Sequence, residues 1–160
     1  MRDRTKHYKQ ALYDHLRVSV LTLALRPGDD IDEAVFAETF GLSRTPLREV
    51  LRELAGEGYL ELRAGRGARV TEMSYTTLRD FFLAAPMIYG AILRLAAQNA
   101  TAEQIKSLKA AQSKFKKSLR SGSAADRTLA NNQFHEITGE MAGNIFLLAA
   151  FNRLLIDHAR

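Results

Sequence analysis

Arg44, Arg48 and Arg52 stand four residues apart, a spacing that lines them up along one face of a helix. Leu47, Val50, Leu51 and Leu54 recur at steps of three and four and make a second, apolar face. A helix with one packed face and one arginine face suits docking in the major groove of DNA. The guanidinium fork can hold phosphate oxygens, or the O6/N7 edge of guanine, in bidentate fashion. Ser43 is placed to cap that helix, and Pro46 costs little where first-turn N–H groups have no helical acceptor. The competing reading is an ordinary amphipathic surface helix, with Glu49 and Glu53 neutralising part of the arginine charge. The residues after the helix weigh against it. Tyr59–Leu62 and Ala68–Val70 read as two short strands joined by Ala64-Gly65-Arg66-Gly67, a wing attached to the helix.

A second pair of residues could bind something. Asn131 and His135 are four apart, so both can point into a bundle core. Enzyme chemistry finds no comparable footing, and none is expected. No Ser/His/Asp or paired-carboxylate constellation stands at motif spacing, and there is no metal triad or phosphate-cradling loop. Gly65-Arg66-Gly67 is too short for a nucleotide loop and sits in a hairpin. There is no cysteine, which excludes disulfides, thiolate metal sites and a cysteine nucleophile.

The elements that must hold these residues are set by periodicity and punctuation. Thr5 to Leu25 reads as a helix with Tyr8, Leu12, Leu16, Val20 and Leu23 on one stripe. His7 and His15 read as surface or boundary residues. Arg26-Pro27-Gly28-Asp29-Asp30 breaks the helix. A short helix from Asp32, its cap, to Phe40 packs through Ala34, Val35, Ala37 and Phe40. Gly41-Leu42 turns into the arginine helix, which ends at Gly56-Glu57-Gly58. Beyond Val70 every signal is helical. One helix carries Leu78, Phe81, Phe82, Ala85, Ile88, Tyr89, Ile92, Leu93 and Ala96 on an apolar face, with a kink expected at Pro86. Thr101-Ala102-Glu103-Gln104 restarts the helix with capping-box spacing. A third helix begins near Ala124 and a last one spans Ile145 to His158. The fold expected is mainly α. An N-terminal winged helix-turn-helix, of three helices and a two-stranded wing, precedes an incomplete all-helical bundle. The boundaries are 1–72, a linker at 73–76, and 77–160.

Charge placement refines the picture. The chain of 160 residues has a net charge of +5, yet residues 1–72 hold 12 Lys/Arg against 12 Asp/Glu. The excess lies entirely in residues 73–160, with 11 against 6. The DNA-binding reading therefore rests on local placement, with Arg44, Arg48, Arg66 and Arg69 marking the contact edge. Lys114, Lys116, Lys117 and Arg120 read as a solvated helix face. The N-terminus, Met1 to Lys6, is charged and no apolar signal core comes after it. No run approaches the ~18 apolar residues of a membrane span, so a soluble cytoplasmic protein, with no membrane partner, is expected.

Leu42-Ser43-Arg44-Thr45-Pro46-Leu47-Arg48-Glu49-Val50-Leu51, Gly58-Tyr59-Leu60 and Gly65-Arg66-Gly67-Ala68-Arg69-Val70 together resemble the DNA-binding domain of the GntR family of bacterial transcriptional regulators. The resemblance extends back to Leu25-Arg26-Pro27-Gly28-Asp29 and covers about the first 72 residues. It implies that Arg44, Thr45 and Arg48 contact DNA and that the wing tip, Gly65 with Arg66, enters the minor groove. The DNA-binding set expected is Ser43, Arg44, Thr45, Pro46, Arg48, Arg52, Gly65, Arg66 and Gly67. Where some members carry an arginine in the preceding helix, this chain has Ala34.

Leu95-Ala96-Ala97, Ala100 to Ile105, Asn131-Asn132-Gln133-Phe134-His135-Glu136 and Gly143-Asn144 resemble the helical effector domain of the FadR-like (FCD) branch of that family. The resemblance implies a divalent metal, zinc or nickel, on an aspartate and a histidine that match Asn131 and His135, with two further histidines from later helices. Asn131 offers a neutral carbonyl in place of the carboxylate, and the chain stops before those helices, so a polar pocket histidine is the preferred reading. The domain looks truncated, leaving apolar faces of the Ala124 and Ile145 segments for dimerisation or rearrangement to cover. The function expected is that of a sequence-specific regulator. It would be a homodimeric repressor on a palindromic operator in double-stranded DNA, controlled by a small organic acid. The alternative is a metabolite- or metal-binding helical protein whose winged helix mediates protein contacts.

Overall fold

The computed structural model describes residues 2–160, with side chains from Thr5 onward, so the charged side chains before Thr5 lie outside the described residues. The chain divides into two compact units, the first ending at Met73 and the second running from Ser74 to Arg160.

The first unit contains α1 (Arg2–Leu21), α2 (Glu33–Thr39), α3 (Arg44–Glu57), β1 (Leu60–Arg63) and β2 (Gly67–Val70). Leu12, Leu16, Val20 and Leu21 of α1 meet Leu47, Val50, Leu51 and Leu54 of α3, with Leu60, Ala68 and Val70 of the hairpin completing a core of fully buried side chains. Polar pairs at the rim tie α1 down: Lys9 to Glu49 at 2.7 Å, Tyr13 to Glu57 at 2.6 Å, and Arg17 to Tyr59 at 3.2 Å. α1 stops four residues sooner than expected. Leu23 takes a left-handed conformation (φ 60°), the Leu25 N–H closes onto the Ser19 carbonyl, and Leu23 is left exposed rather than on the packed stripe.

α2 also differs in its facing. Asp32 caps it as expected, accepting from the N–H groups of Ala34 and Val35. Val35, expected inside, is 54% exposed, and Ala34 is exposed too. The packed side is Phe36, Ala37 and Phe40, with the two rings against His15 at centroid distances of 5.9 and 5.4 Å. His15 is thus a ring partner and not a bare surface residue.

The second unit is α4 (Tyr75–Asn99), α5 (Ala102–Ser121), α6 (Ala124–Ala142) and α7 (Ile145–Ala159). Ser74 caps α4 and Tyr75 opens it, so helix occupies part of the segment 73–76 expected as linker. Capping boxes start α4, α5 and α6, and Asn144 caps α7 by accepting from Phe146 and Leu147. α6 is central, packed against α4, α5 and α7. Ile92, Ala142, Phe151 and Leu155 form the core, with Ile88, Tyr89, Leu95 and Leu147 around them. Gly139 permits the α6–α7 approach. A Cβ there would lie 2.9 Å from Phe151 Cδ1 and 3.0 Å from Leu148 Cδ1, closer than packed carbons tolerate.

α4 departs from expectation in two ways. It is a single helix through Pro86; the proline leaves the Phe82 carbonyl without its donor on an exposed face, where water can replace it. It also contains an 18-residue window of mean hydropathy 1.4, so by length and composition it could cross a membrane. Arg79, Asp80 and Arg94 interrupt any strictly apolar run, which is why a search for such a run passes over it. Its inward side packs on α6 and α7, while Leu78, Phe82 and Leu93, expected on the packed face, are exposed. Of the faces expected to be uncovered, the start of α7 is so, with Ile145 75% and Phe146 81% exposed. α6 is largely enclosed instead.

Candidate nucleic-acid interface

The turn Gly41-Leu42 sets α3 across α2. Leu42 is buried and its N–H bonds the Ala37 carbonyl at 2.9 Å, anchoring the entry to α3. Ser43 sits at the N-cap, but its side chain makes no capping hydrogen bond, contrary to expectation, and is exposed. Its extended backbone alone starts the helix, and the hydroxyl stays available to solvent. Arg44, Thr45, Arg48 and Arg52 are exposed on the face opposite Leu47, Val50, Leu51 and Leu54, while Pro46 is half-buried.

The hairpin places the wing beside them. β1 and β2 pair antiparallel from Leu60↔Val70 to Arg63↔Gly67. The tip closes through the Arg66 N–H onto the Arg63 carbonyl at 3.0 Å, with Gly65 at φ 70° and Gly67 at φ 77°. Gly65 and Arg66 are exposed. Arg69, expected on the contact edge, is a strut at the wing's root. Its Nε donates to Asp30 at 3.0 Å and its Nη1 to Glu72 at 3.2 Å. Arg63 also approaches Asp30, at 3.6 Å. The bond from Arg69, the larger cause, and the nearby cations hold the Asp30 carboxyl below its ordinary value, and the same bond raises Arg69. An arginine so engaged has its donors spent on the fold.

Arg48 is held as well, by a residue that sequence spacing does not single out. Its Nε donates to Glu33 Oε2 at 3.1 Å. The open groove of about 340 Å³ between α3 and the wing is lined by Arg48, Leu51, Arg52, Leu62, Arg63, Gly65 and Gly67, together with Glu33. Fifteen residues separate Arg48 from Glu33, and no local periodicity connects them.

In the second unit Asn131 and His135 do face a common space, and α7 brings His158 to them. Asn131 Nδ2 lies 3.1 Å from His158 Nε2, and the two imidazoles are 4.8 Å apart between centroids. Tyr89 packs edge-on to His135 at 5.5 Å and stacks on His158 at 5.7 Å; its hydroxyl is buried without a hydrogen-bond partner. Burial pushes the Tyr89 hydroxyl up to about 12 and pulls His135 down to about 4, with His158 adding to the latter. The donors gathered are two imidazoles and a neutral amide, without a carboxylate. No group of three His, Cys, Asp or Glu suited to a metal occurs among the described residues. This donor set does not fit a divalent transition metal. What it makes is a polar, aromatic-walled pocket wall, neutral at ordinary pH.

A winged helix-turn-helix with an arginine-faced second helix, continuing into a four-helix unit, defines the class. Residues 8–70 match the family model of bacterial regulatory proteins, gntR family, and residues 86–160 match the FCD domain. The chain belongs to the GntR family, in its FadR-like FCD branch. It is 38% identical over 80 residues to the Nta operon transcriptional regulator of Aminobacter aminovorans, covering 50% of this chain and 38% of that protein. Against the probable D-xylose utilization operon transcriptional repressor of Paenarthrobacter nicotinovorans it is 33% identical, covering 81% of this chain and 57% of the other. Against the HTH-type transcriptional regulator YdhC of Bacillus subtilis (strain 168) it is 24% identical, covering 89% and 64%. The chain thus spans less than two thirds of each of these curated relatives. The solved structure of E. coli McbR/YncC shares the fold, with a TM-score of 0.76 at 21% identity over 93% of this chain and 70% of that one.

Proposed function

We propose that this chain acts as a sequence-specific DNA-binding transcriptional regulator, a homodimeric repressor working in the cytoplasm on a near-palindromic operator. The observation that carries the reading is the free face of α3, with Arg44, Thr45, Arg48 and Arg52 exposed beside a Gly65-Arg66 wing tip. In this reading α3 enters the major groove and the wing the adjacent minor groove, with Ser43, Pro46 and Gly67 at the backbone approach. The matched relatives are described as regulators or repressors of transcription, which supports the same role. The polar wall of Asn131, His135, His158 and Tyr89 supports an effector site in the helical unit. A small organic acid could use the imidazole N–H and Tyr89 hydroxyl as donors. Effector binding would shift an equilibrium between two arrangements of the DNA-binding heads, by its differential affinity for them.

Selection from random duplexes at two salt concentrations tests this, with Arg44→Ala and Arg48→Ala beside the wild type. A palindrome is expected, with each substitution costing about 1–3 kcal/mol at the bases it reads. Affinity should fall steeply with salt, as counterion release requires. Weak, sequence-indifferent binding that neither substitution changes would sink the proposal and favour a helical ligand-binding protein whose winged helix contacts other proteins.

A further inference from the structure

Glu33 is an acid set among the cations of the proposed DNA face, where it repels phosphate. Its side chain is nevertheless largely covered, 23% exposed, while its partner Arg48 is 56% exposed. Two features hold the carboxylate there. One is the bond from Arg48 Nε at 3.1 Å. The other is the wing: a Cβ on Gly67 would come within 2.9 Å of Glu33 Oε1, so only a glycine lets the strand pass that close. The groove between α3 and the wing and a second one between α2 and α3 are both lined by Glu33 and Arg48. The ion pair therefore stands at the junction of all three DNA-facing elements. Pairs this exposed contribute little to stability, so stability does not explain it.

We infer that Glu33 is a positioning residue that makes Arg48 a reader of base edges. This role rests on the DNA-binding function proposed for α3 and the wing. A free arginine on a helix surface samples many rotamers and neutralises whichever phosphate is near, which gives affinity without sequence information. Arg48 tethered through Nε keeps Nη1 and Nη2 for another acceptor, and that paired edge is the one that matches guanine O6 and N7. The Glu33 charge offsets the pull of Arg48 on phosphates, so hydrogen-bond geometry rather than net charge governs what Arg48 contributes. Glu33 thus trades general affinity for discrimination.

The test compares binding of the full chain to its selected operator and to a scrambled duplex, across a salt series. The variants are Glu33→Gln, Glu33→Asp, Arg48→Ala and the Glu33→Gln/Arg48→Ala pair, each checked for an unchanged thermal midpoint. Glu33→Gln is expected to keep or gain affinity for the scrambled duplex and to lose about tenfold in the operator-to-scrambled ratio. Glu33→Asp, one methylene shorter with its charge kept, should lose the ratio at an unchanged salt slope. In the double variant, Arg48→Ala should cost the ratio little beyond what Glu33→Gln already has. A ratio unchanged in both Glu33 variants overturns the inference, as does a parallel fall on both duplexes with a lowered midpoint. A wild-type chain that prefers no duplex overturns the DNA-binding reading and this inference together.

Discussion

Burial holds His135 down to about 4, and the His158 ring beside it acts in the same direction. In the unfolded chain a histidine protonates near 6.5. As pH falls between those values the unfolded chain takes up the proton first, so stability is lost across that window and the loss is complete below about 4. Allowing for water's access to a half-buried ring, the loss should be about 1–2 kcal/mol, a few degrees in Tm for a chain of this size. Calorimetry at pH 7 and pH 5 should show it, and His135→Leu should flatten part of the slope. An identical slope in that variant would place the titration elsewhere. His135 and Asn131 are legible as neighbours in the sequence because four residues separate them on one helix. His158 is not, since only the packing of α7 against α6 brings it there. Glu33 and Arg48 repeat the lesson in the first unit: both the arginine face of α3 and the acid are visible in the sequence, but their pairing needs the turn at Gly41-Leu42.

Helix beginnings show where local rules suffice. Thr101 with Gln104, and Ser123 with Asp126, form the reciprocal side-chain bonds that their spacing of three allows. Ser43 has the same residue type as Ser123 and the same extended backbone, yet makes no such bond. The residue three positions on is Pro46, which has no N–H to donate. Ser123→Ala should therefore cost about 1 kcal/mol, and Ser43→Ala less than about 0.5 kcal/mol, measured by urea unfolding. If Ser43→Ala costs as much as Ser123→Ala, the serine caps α3 in solution and its hydroxyl is not reserved for a phosphate. The facing of α2 escapes the sequence for a related reason. Seven residues are too short for periodicity to choose between Val35 and Phe36, and His15 on α1 decides it.

At the scale of the whole molecule, the outward stripe of α4 needs a partner. Phe82, Leu83, Met87 and Leu93 are each more than half exposed, along roughly 16 Å of helix at 1.5 Å per residue. An apolar stripe of this kind marks an interaction surface, and a stable interface buries about 800 Å² on each side. A second copy is the occupant that the proposed operator symmetry requires, because two recognition helices read two half-sites. Leu83 and Met87 lie one turn apart on this stripe, away from the Ile92–Phe151 core. Leu83→Glu/Met87→Glu should thus leave the helical unit folded and convert a dimer to a monomer at micromolar concentration in sedimentation equilibrium. Binding to a two-half-site operator should fall toward that for a single half-site, which itself should not change. A variant that stays dimeric would move the interface elsewhere, with the exposed Ile145 and Phe146 at the start of α7 next to be tested. A wild-type chain that stays monomeric yet partitions onto lipid vesicles would instead make α4 a membrane-facing helix, which its length and hydropathy allow.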